Sequence, residues 1–372
     1  HDYNGASIVW ADCDNGNDAT GDGSELNPFQ TIERAYAQAG AGGTVYLKAG
    51  FNYQITDNLA SVNHPYWTTV TTAPGILRNE VRIHGGANGQ FDESMIKWNN
   101  VHFYMDEDPT GYFTLMQFAA GQHIWFDNSE FYNEQGHHTQ TDLFNTQNAK
   151  YYMTGCLIRD IGVAAGYFQR NCEIRNIGGD IWRATDDMLI VNTEIDNMDP
   201  MPGAHADLLQ WYNPGSVVDN IILYNVTATN INSQGFFGYS GENTAIVNVI
   251  IEKTEDNPRL SQVFDMHHIL IWHSNFVNLD FSITDASTVS SWNIQNSIFN
   301  KLIPGGQNPT VTELDSSFIS NNHYVFLNWN QTNGGLGGNY TTGDPLYVNP
   351  MPYGSGYHTP GTENYHLQPS SP

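Results

Sequence analysis

The sequence predicts an all-β protein, a single right-handed parallel β-helix with three strands per coil and an N-terminal capping helix. Three observations predict this fold: a short repeat in the middle of the chain, an additional strand upstream of most copies, and one amphipathic helix near the N-terminus. The composition agrees, because 14% charged residues, 13% aromatic residues and 35 glycines favour short strands and turns over helices.

The repeat consists of two alternating apolar residues, an Asn or small residue, and then a small and an apolar residue. Successive copies lie 16 to 33 residues apart, which brackets one turn of a parallel β-solenoid. The central positions of the eight copies are Asn128, Gly155, Asn171, Asn192, Asn225, Asn248, Ser274 and Asn296.

The apolar residues before and after the central position must point to the same side, which breaks the period of two of a strand. A bend is therefore expected at this position. Asn adopts the left-handed conformation that a tight bend requires, and stacked Asn side chains can hydrogen-bond from coil to coil. We interpret the Asn column as structural, and the same register predicts an inward column of small residues: Ser129, Cys156, Cys172, Thr193, Val226, Val249 and Ser297.

Two cysteines of this column, Cys156 and Cys172, are expected on adjacent coils with their strands about 4.8 Å apart. That separation permits a disulfide. A column of small inward side chains favours two buried free thiols instead. The sequence leaves both states open, and it offers no evident partner for Cys13.

A further strand precedes the repeat in several coils, so that each coil has three strands. These upstream strands are expected at residues 141–145, 180–184, 207–211, 234–239 and 261–265. Three strands and one very short bend per coil are the plan of a right-handed parallel β-helix.

The ends of the chain read as caps. A helix is expected to begin with Asn27 as N-cap, Pro28 at its first position and Gln30 in a capping box. Its apolar face would cover the open end of the solenoid. We therefore expect one domain over residues 1–372, with a cap over 1–43, coils over 44–326 and an irregular C-terminal cap over 327–372.

The charge balance excludes several function classes. Thirteen Lys and Arg residues against 39 Asp and Glu residues give a formal charge of −26, which disfavours nucleic acids, anionic membranes and, less firmly, acidic polysaccharides. No apolar stretch approaches the roughly 18 residues of a membrane span. The chain starts at His1 without a hydrophobic leader and has three cysteines, so we expect a secreted or cell-surface monomer without a disulfide scaffold.

Segments near both termini resemble secreted proteins of the pectate-lyase-like right-handed β-helix superfamily. Residues 22–35 and 43–50 resemble the opening of these proteins, and residues 344–350 and 365–372 resemble their closing signature. The resemblance implies the fold and a polysaccharide or oligosaccharide partner. It does not choose a reaction, since the superfamily contains lyases, glycoside hydrolases, epimerases, tailspikes and non-catalytic binders.

In proteins of this superfamily the groove beside the first strand of each coil holds the sugar chain, which directs attention to the upstream strands. The densest polar segments are residues 179–187 and 203–211. The candidate catalytic residues are Asp180, Arg183, Asp187, His205 and Asp207. The candidate substrate-binding residues are Asp142, Trp182, Gln210, Trp211, Gln234, Tyr239, Asp265 and His267.

The register of the upstream strands stays open. One register exposes Asp180 and Asp207 together with Trp182, which could then stack on a sugar. The other register exposes Arg183 and Gln210 together with Ile181 and Leu208. An inward Asp at a strand end is the structural alternative.

Two reactions and one binding role fit these residues. Glycoside hydrolysis needs two carboxyl groups, which Asp180, Asp187 and Asp207 can supply, and the excess of carboxylates slightly favours it. A lyase would use Arg183 or His205 as base and Ca²⁺ to neutralise a uronic acid. A polysaccharide-binding, adhesin or tailspike-like protein would use the same groove without a reaction.

A loop near the N-terminus carries alternating oxygen ligands at Asp12, Asp14 and Asp18. This pattern resembles a Ca²⁺ loop without the bidentate Glu at the twelfth position. The alternative is a polar turn, and no organic cofactor is expected.

Overall fold

The computed structural model describes residues 7–55, 63–85, 90–91, 94–106, 112–118, 122–136, 140–146, 150–162, 164, 166–200, 206–211, 217–254, 261–284, 291–304, 310–318, 341–342, 347–349 and 364–367. The chain divides into two compact units, unit 1 at residues 1–178 and unit 2 at residues 179–372. The expected single domain stays a prediction, and most of its C-terminal cap lies outside the described residues.

Unit 1 contains one α-helix, one short 3₁₀-helix at Arg78–Glu80 and sixteen strands within its described residues. The helix is α1 Ile32–Ala39. The strands are β1 Ile8–Ala11, β2 Thr44–Leu47, β3 Gly50–Gln54, β4 Asn63–Thr72, β5 Val81–His84, β6 Gln90–Phe91, β7 Ser94–Asn99, β8 His102–Met105, β9 Tyr112–Phe118, β10 His123–Asp127, β11 Glu130–Asn133, β12 Gln140–Thr146, β13 Lys150–Thr154, β14 Leu157–Ile161, β15 Phe168–Arg170 and β16 Glu173–Ile177.

The described residues of unit 2 form twelve strands. They are β17 Trp182–Arg183, β18 Leu189–Met198, β19 Leu209–Trp211, β20 Val218–Ile231, β21 Phe236–Lys253, β22 Ser261–Trp272, β23 Asn275–Thr284, β24 Ser291–Pro304, β25 Thr310–Phe318, β26 Thr341–Thr342, β27 Tyr347–Asn349 and β28 Asn364–Leu367. Several of these strands run through a bend, because one left-handed residue does not interrupt the hydrogen bonding on either side.

Parallel pairing arranges the strands of unit 1 in three ladders. The pre-bend ladder, which leads into the Asn bend, consists of β1, β2, β4, β7, β10, β13 and β15. The post-bend ladder consists of β3, β5, β8, β11, β14 and β16. The upstream ladder consists of β6, β9 and β12.

Unit 2 repeats this plan with longer strands. Its upstream ladder consists of β17, β19, the first residues of β21 and β22, and the last residues of β23 and β24. Its pre-bend and post-bend ladders run through β18, β20, β21, β22, β23 and β24. The predicted fold class, a right-handed parallel β-helix with an N-terminal helix, is confirmed.

Helix α1 begins later than the capping signals predict. Phe29 is buried, and its backbone pairs with Trp10 and Asp12 next to β1, which keeps this segment extended. Thr31 is the N-cap and accepts a hydrogen bond from the backbone N–H of Arg34. The predicted apolar face of α1 is buried against the first coils, and no helix among the described residues is long and apolar enough to cross a membrane.

The predicted bends are confirmed at six central positions, which have φ between +47° and +62°: Asn128, Gly155, Asn171, Asn192, Asn225 and Asn248. The seventh copy is displaced by one residue. His273 has the left-handed conformation, with φ of 51°, and the expected bend residue Ser274 points into the core. The reason is the register, since Ile250 pairs with Asn275 and therefore places Ser274 beside Val249.

The inward column of small residues is also confirmed, because Ser129, Cys156, Cys172, Thr193, Val226, Val249 and Ser297 are all at most 3% exposed. Cys156 and Cys172 are free thiols. Burial raises the pKa of the Cys156 thiol well above its usual range. The two sulfur atoms therefore pack as small apolar groups between coils.

Side-chain amides connect the bends from coil to coil. The Asn225 amide donates to Asn192 Oδ1, and the Asn248 amide donates to Asn225 Oδ1, both at 2.7 Å. In unit 1 the Asn128 amide donates to Asn100 Oδ1 at 3.3 Å. Each amide donates a hydrogen bond to the side-chain oxygen of the neighbouring Asn. These bonds hold the register of the strands on either side of the bend.

Substitution of Asn225 tests the bend. We expect Asn225→Ala to lower the free energy of unfolding by about 2 kcal/mol, because it loses two amide hydrogen bonds and places a Cβ-bearing residue without a polar side chain in the left-handed region. Asn225→Gly loses the hydrogen bonds alone and should cost about half as much. Urea unfolding monitored by circular dichroism measures both losses, and equal losses would show that the left-handed conformation contributes nothing.

A buried carboxylate connects charged side chains on the post-bend ladder of unit 1. Glu130 lies 2.8 Å from Arg159 and 3.3 Å from Arg78. His102 pairs with Glu130 in the ladder, is 7% exposed, and has its Nε2 3.7 Å from Glu130 Oε1. Burial lowers the pKa of His102 to about 4, and the neighbouring arginines act in the same direction against Glu130.

His102 should make the protein sensitive to acid. Between its unfolded pKa of about 6.5 and its folded pKa of about 4, the unfolded chain binds a proton that the folded chain does not bind. The contribution of neutral His102 to the free energy of unfolding is complete above about pH 6.5. It is lost as the pH falls, and the loss reaches about 2 kcal/mol at about pH 5. His102→Gln should lose less stability than the unmodified protein between about pH 7.5 and pH 5 in urea titrations, and an identical loss would contradict this assignment.

Candidate functional site

The upstream ladder of unit 2 gathers most of the predicted site residues. Arg183 pairs with Gln210, Gln210 with Phe237, and Phe237 with Gln262. All four side chains are at least partly exposed, so they form one outward row on adjacent coils. We call Arg183, Gln210, Phe237 and Gln262 the outward row.

Neither register expected from the sequence holds in full. Arg183 and Gln210 face outward, as the second register requires, but Ile181 and Leu208 are buried as well as Trp182 and Leu209. Residues 180–182 and 206–209 are buried consecutively, so the period of two begins only after the start of each strand. If the alternation of inward and outward residues is extended from the strand towards its start, it therefore assigns the first residues to the wrong face.

Two tryptophans expected to bind sugar are part of the core. Trp182 is 0% exposed and Trp211 is 1% exposed, so neither presents a ring face to a ligand. The Trp211 ring lies 5.7 Å from that of Phe236, and side-chain atoms of Trp211 lie within 3.2 Å of the position that a Cβ would occupy on Gly238 or Gly241. These glycines make room for the indole between coils.

Two aspartates occupy equivalent positions at the start of adjacent upstream strands. The backbone N–H of Asp207 donates to Asp180 Oδ1 at 3.0 Å. Asp180 Oδ2 accepts from Arg183 Nε at 3.0 Å, and Asp207 Oδ2 accepts from Gln210 Nε2 at 3.2 Å. Each aspartate thus holds the outward residue three positions later in its own coil.

The two carboxylates differ in exposure. The Asp180 side chain is 8% exposed, whereas Asp207 is 0% exposed. The Arg183 side chain above Asp180 is 52% exposed. Gln234 continues the column in the next coil and is 3% exposed, with its backbone carbonyl accepting from Ser261 Oγ at 2.9 Å.

Aromatic rings lie beside the outward row. Tyr239 is 43% exposed and stacks on Phe264, with ring centroids 4.5 Å apart and an interplanar angle of 6°. Phe237 contacts Tyr239 edge to face at 5.5 Å. Sequence reasoning selected Tyr239 and missed Phe264, although the alternation of Val263 and Phe264 in the strand signals an outward ring.

Asp187 belongs to a second column of bends, where the upstream strand turns into the pre-bend strand. Asp187, Asn220, Asn243 and His268 all have positive φ, between +51° and +62°. The Asn220 amide donates to Asp187 Oδ1 at 3.1 Å. Asp187 is exposed at the corner that follows the upstream strand whose start carries Asp180.

The remaining predicted residues fall in different places. His267 is half-buried in β22, while the neighbouring His268 lies 3.2 Å from Glu242. Asp142 lies in β12 of unit 1, opposite Thr114, so it belongs to a different unit from the other candidates. His205 and the side chains of Asp142 and Asp265 lie outside the described residues.

The N-terminal acidic loop uses its carboxylates within the fold. Asp12 Oδ1 accepts from the backbone N–H groups of Asp14 and Asn15, and Asp18 accepts from the backbone and hydroxyl of Thr31. Within the described residues, no group of three or more His, Cys, Asp or Glu side chains is arranged to hold a metal ion. A Ca²⁺ ion bound by Asp12, Asp14 and Asp18 stays a prediction.

The sequence matches no protein-family model and no curated protein. Two crystal structures of the GH136 lacto-N-biosidase from Eubacterium ramulus are similar to this chain, each with a TM-score of 0.53. The identities are 12% and 11%, over 82% and 85% of this chain and 68% and 67% of that chain. The mannuronan C-5 epimerase A-module from Azotobacter vinelandii has a TM-score of 0.42 at 12% identity, over 84% and 90% of the two chains.

The similarity to the two lacto-N-biosidase structures shows the fold. The neighbours are right-handed β-helix proteins that act on carbohydrates. At these identities the comparison transfers no catalytic residue, so the chemistry has to be argued from the outward row and the carboxylates around it.

Asp180 should be essential for the local structure. We expect Asp180→Ala to lower the free energy of unfolding by about 2 to 3 kcal/mol, because the buried N–H of Asp207 loses this acceptor. Asp180→Asn keeps an acceptor oxygen and loses only the pairing with half-exposed Arg183, which is worth less than about 1 kcal/mol.

Arg183→Gln is the matched control for Asp180→Ala and should also cost less than about 1 kcal/mol. Urea unfolding compares the three variants. A small, equal loss in all three would show that Asp180 does not hold the start of the next strand.

Proposed function

We propose that this protein is a secreted, monomeric carbohydrate-active enzyme that cleaves the glycosidic bonds of a polysaccharide by hydrolysis. The observation that carries the proposal is the outward row in unit 2, where buried aspartates hold exposed polar groups beside stacked aromatic rings. Hydrogen-bonding groups and ring faces on adjacent coils match the hydroxyl groups and apolar faces of a sugar chain.

The outward row supplies the binding surface. Arg183 and Gln210 offer directed donors whose orientation is fixed by Asp180 and Asp207. Phe237 and the Tyr239–Phe264 pair offer ring faces on the following coils. A sugar chain that runs along the solenoid axis of unit 2 contacts these groups in turn, about one coil every 4.8 Å.

Hydrolysis needs a carboxylic acid that protonates the leaving oxygen and a carboxylate that acts as base or nucleophile. Asp180 and Asp187 are assigned to these roles, because they flank Arg183 on one coil and Asp187 is exposed. Asp207 is fully buried, so we assign it as a positioning residue that acts through Gln210. His205 stays a candidate for contact with the substrate.

An alternative reaction is β-elimination on a uronic acid polymer, with Ca²⁺ as a further requirement. The exposed side chain of Arg183 favours this second candidate, since a lyase needs a base near the substrate and Arg183 would take that role in its neutral form. Arg183 is engaged by Asp180 at 3.0 Å, and the carboxylates nearby outnumber it. This arrangement suits hydrolysis better.

Digestion of a panel of neutral and acidic polysaccharides tests the proposal. We expect new reducing ends without the ultraviolet absorbance of an unsaturated uronide. Asp180→Asn and Asp187→Asn should each lower kcat by about 100-fold or more, because each removes one group that transfers a proton or attacks the sugar. Asp207→Asn should raise KM more than it lowers kcat.

Asp196→Asn is the control, since Asp196 lies on the post-bend ladder of unit 2 and bonds Thr229 and Asn230 there. It should keep full activity. Activity in Asp180→Asn, with folding retained, contradicts the assignment. Unsaturated products identify the lyase instead, and binding without any cleavage identifies a non-catalytic protein.

A further inference from the structure

We propose that unit 1 carries a second, non-catalytic carbohydrate site that binds an acidic glycan. The site is the outward surface of the pre-bend strands β7, β10, β13 and β15, and it does not depend on the reaction proposed for unit 2. We call it the aromatic-basic face. Its first row is Lys97, Trp125, Tyr152 and Phe168, and its second row is Asn99, Asp127, Thr154 and Arg170. Its edge is formed by Trp67, Lys150 and Tyr167.

The register places these side chains on one surface. Lys97 pairs with Trp125, Trp125 with Tyr152, and Tyr152 with Phe168, on four adjacent coils. The alternate residues of these strands are buried, so the row points outward. Four strands about 4.8 Å apart span about 14 Å, which is the length of a short oligosaccharide.

The rings of this face are in contact with one another and keep part of their surface exposed. Trp67 meets Trp125 at 5.9 Å and Tyr152 at 6.3 Å, both edge to face. Tyr152 also lies 5.8 Å from Phe168. A contiguous group of half-exposed rings on the outside of a sheet is typical of a binding surface.

Hydrogen bonds fix the orientation of the central ring. Trp125 Nε1 donates to Thr154 Oγ1 at 2.9 Å, and Thr154 Oγ1 donates to Asp127 Oδ1 at 2.6 Å. Lys97 Nζ lies 2.8 Å from Asp127 Oδ2 and 4.2 Å from the Trp125 ring centroid. The indole is therefore held in place before a ligand arrives, which lowers the entropy that binding has to overcome.

The charge of the face identifies the class of ligand. The described outward side chains of the four strands include three cations, Lys97, Lys150 and Arg170, and one carboxylate, Asp127, which gives a local charge of 3 − 1 = +2 with His counted as neutral. The whole chain carries −26. A positive surface on a strongly negative protein favours an anionic partner, and the rings beside the cations favour a sugar chain with carboxylate groups.

Affinity electrophoresis of the full chain tests this proposal with polygalacturonate as the acidic probe and hydroxyethylcellulose as the neutral probe. We expect retardation by polygalacturonate alone, weakened at least fivefold when NaCl rises from about 0.05 M to about 0.5 M. Lys150→Gln with Arg170→Gln should weaken binding about tenfold, since both side chains are exposed and their loss removes most of the attraction. Phe168→Ala should weaken binding at both salt concentrations.

Arg34→Gln with Arg175→Gln is the matched control, because it removes the same charge from exposed positions outside this face. It should bind polygalacturonate like the unmodified protein. The proposal is overturned if both double variants weaken binding equally, or if the neutral probe retards the protein as much as the acidic probe does. It is also overturned if Lys150→Gln with Arg170→Gln leaves binding unchanged. The proposal is also overturned if sedimentation shows that the unmodified chain forms pairs and that Lys150→Gln with Arg170→Gln does not. The face would then bind a second copy of the chain.

Discussion

The left-handed residue at each bend is the constraint on which the rest of the structure depends. It turns the chain within one residue, and its side chain bonds the equivalent residue one coil away, as Asn225 does with Asn192 and Asn248. The same device recurs at the other corners, where Asn176 bonds Asp160 and Asn220 bonds Asp187. Only Gly, Asn and a few polar residues tolerate this conformation readily, so the corners restrict the sequence more tightly than the strands do.

The bends also decide which side chains are available for chemistry. A strand of a few residues between two corners has room for only one or two outward positions, and these positions repeat from coil to coil. Arg183 and Gln210 occupy such positions, whereas Asp180 and Asp207 are buried at the starts of the same strands. Asp207 is fully buried and can therefore act on a ligand only through Gln210, the outward residue that it holds. Asp180 holds Arg183 in the same way, but 8% of its side chain stays exposed.

Sequence reasoning recovered what depends on short-range periodicity. The bend positions and the inward column from Ser129 to Ser297 follow from a break in the alternation, which a single chain segment records. The bend at Ser274 was misplaced because His273 and Ser274 are both compatible with a bend, and only pairing with the adjacent coil, which sets Ser274 beside Val249, decides between them. The capping helix was misplaced for a long-range reason, since Phe29 pairs with a strand almost twenty residues earlier in the chain.

The burial of Trp182 and Trp211 required information that no single strand contains. An indole packs between coils only where the adjacent coil leaves space, as Gly238 and Gly241 do beside Trp211. The order of the upstream strands along the solenoid is needed to see that these glycines face the ring. Phe264 is a different case, since its alternation with buried Val263 is visible within its own strand.

Net charge is a weak guide to the ligand of a protein built from stacked coils. Charges farther apart than the Debye length, about 8 to 10 Å at physiological salt, are largely screened from one another. Two coils already span about that distance, since strands repeat about every 4.8 Å. A ligand therefore responds to the few side chains on the coils that it touches, and the −26 of the whole chain contributes mainly to solubility and to long-range steering. Acidic corners along unit 2 and a basic outer surface on unit 1 can thus coexist in one chain, and each surface acts on its own ligand.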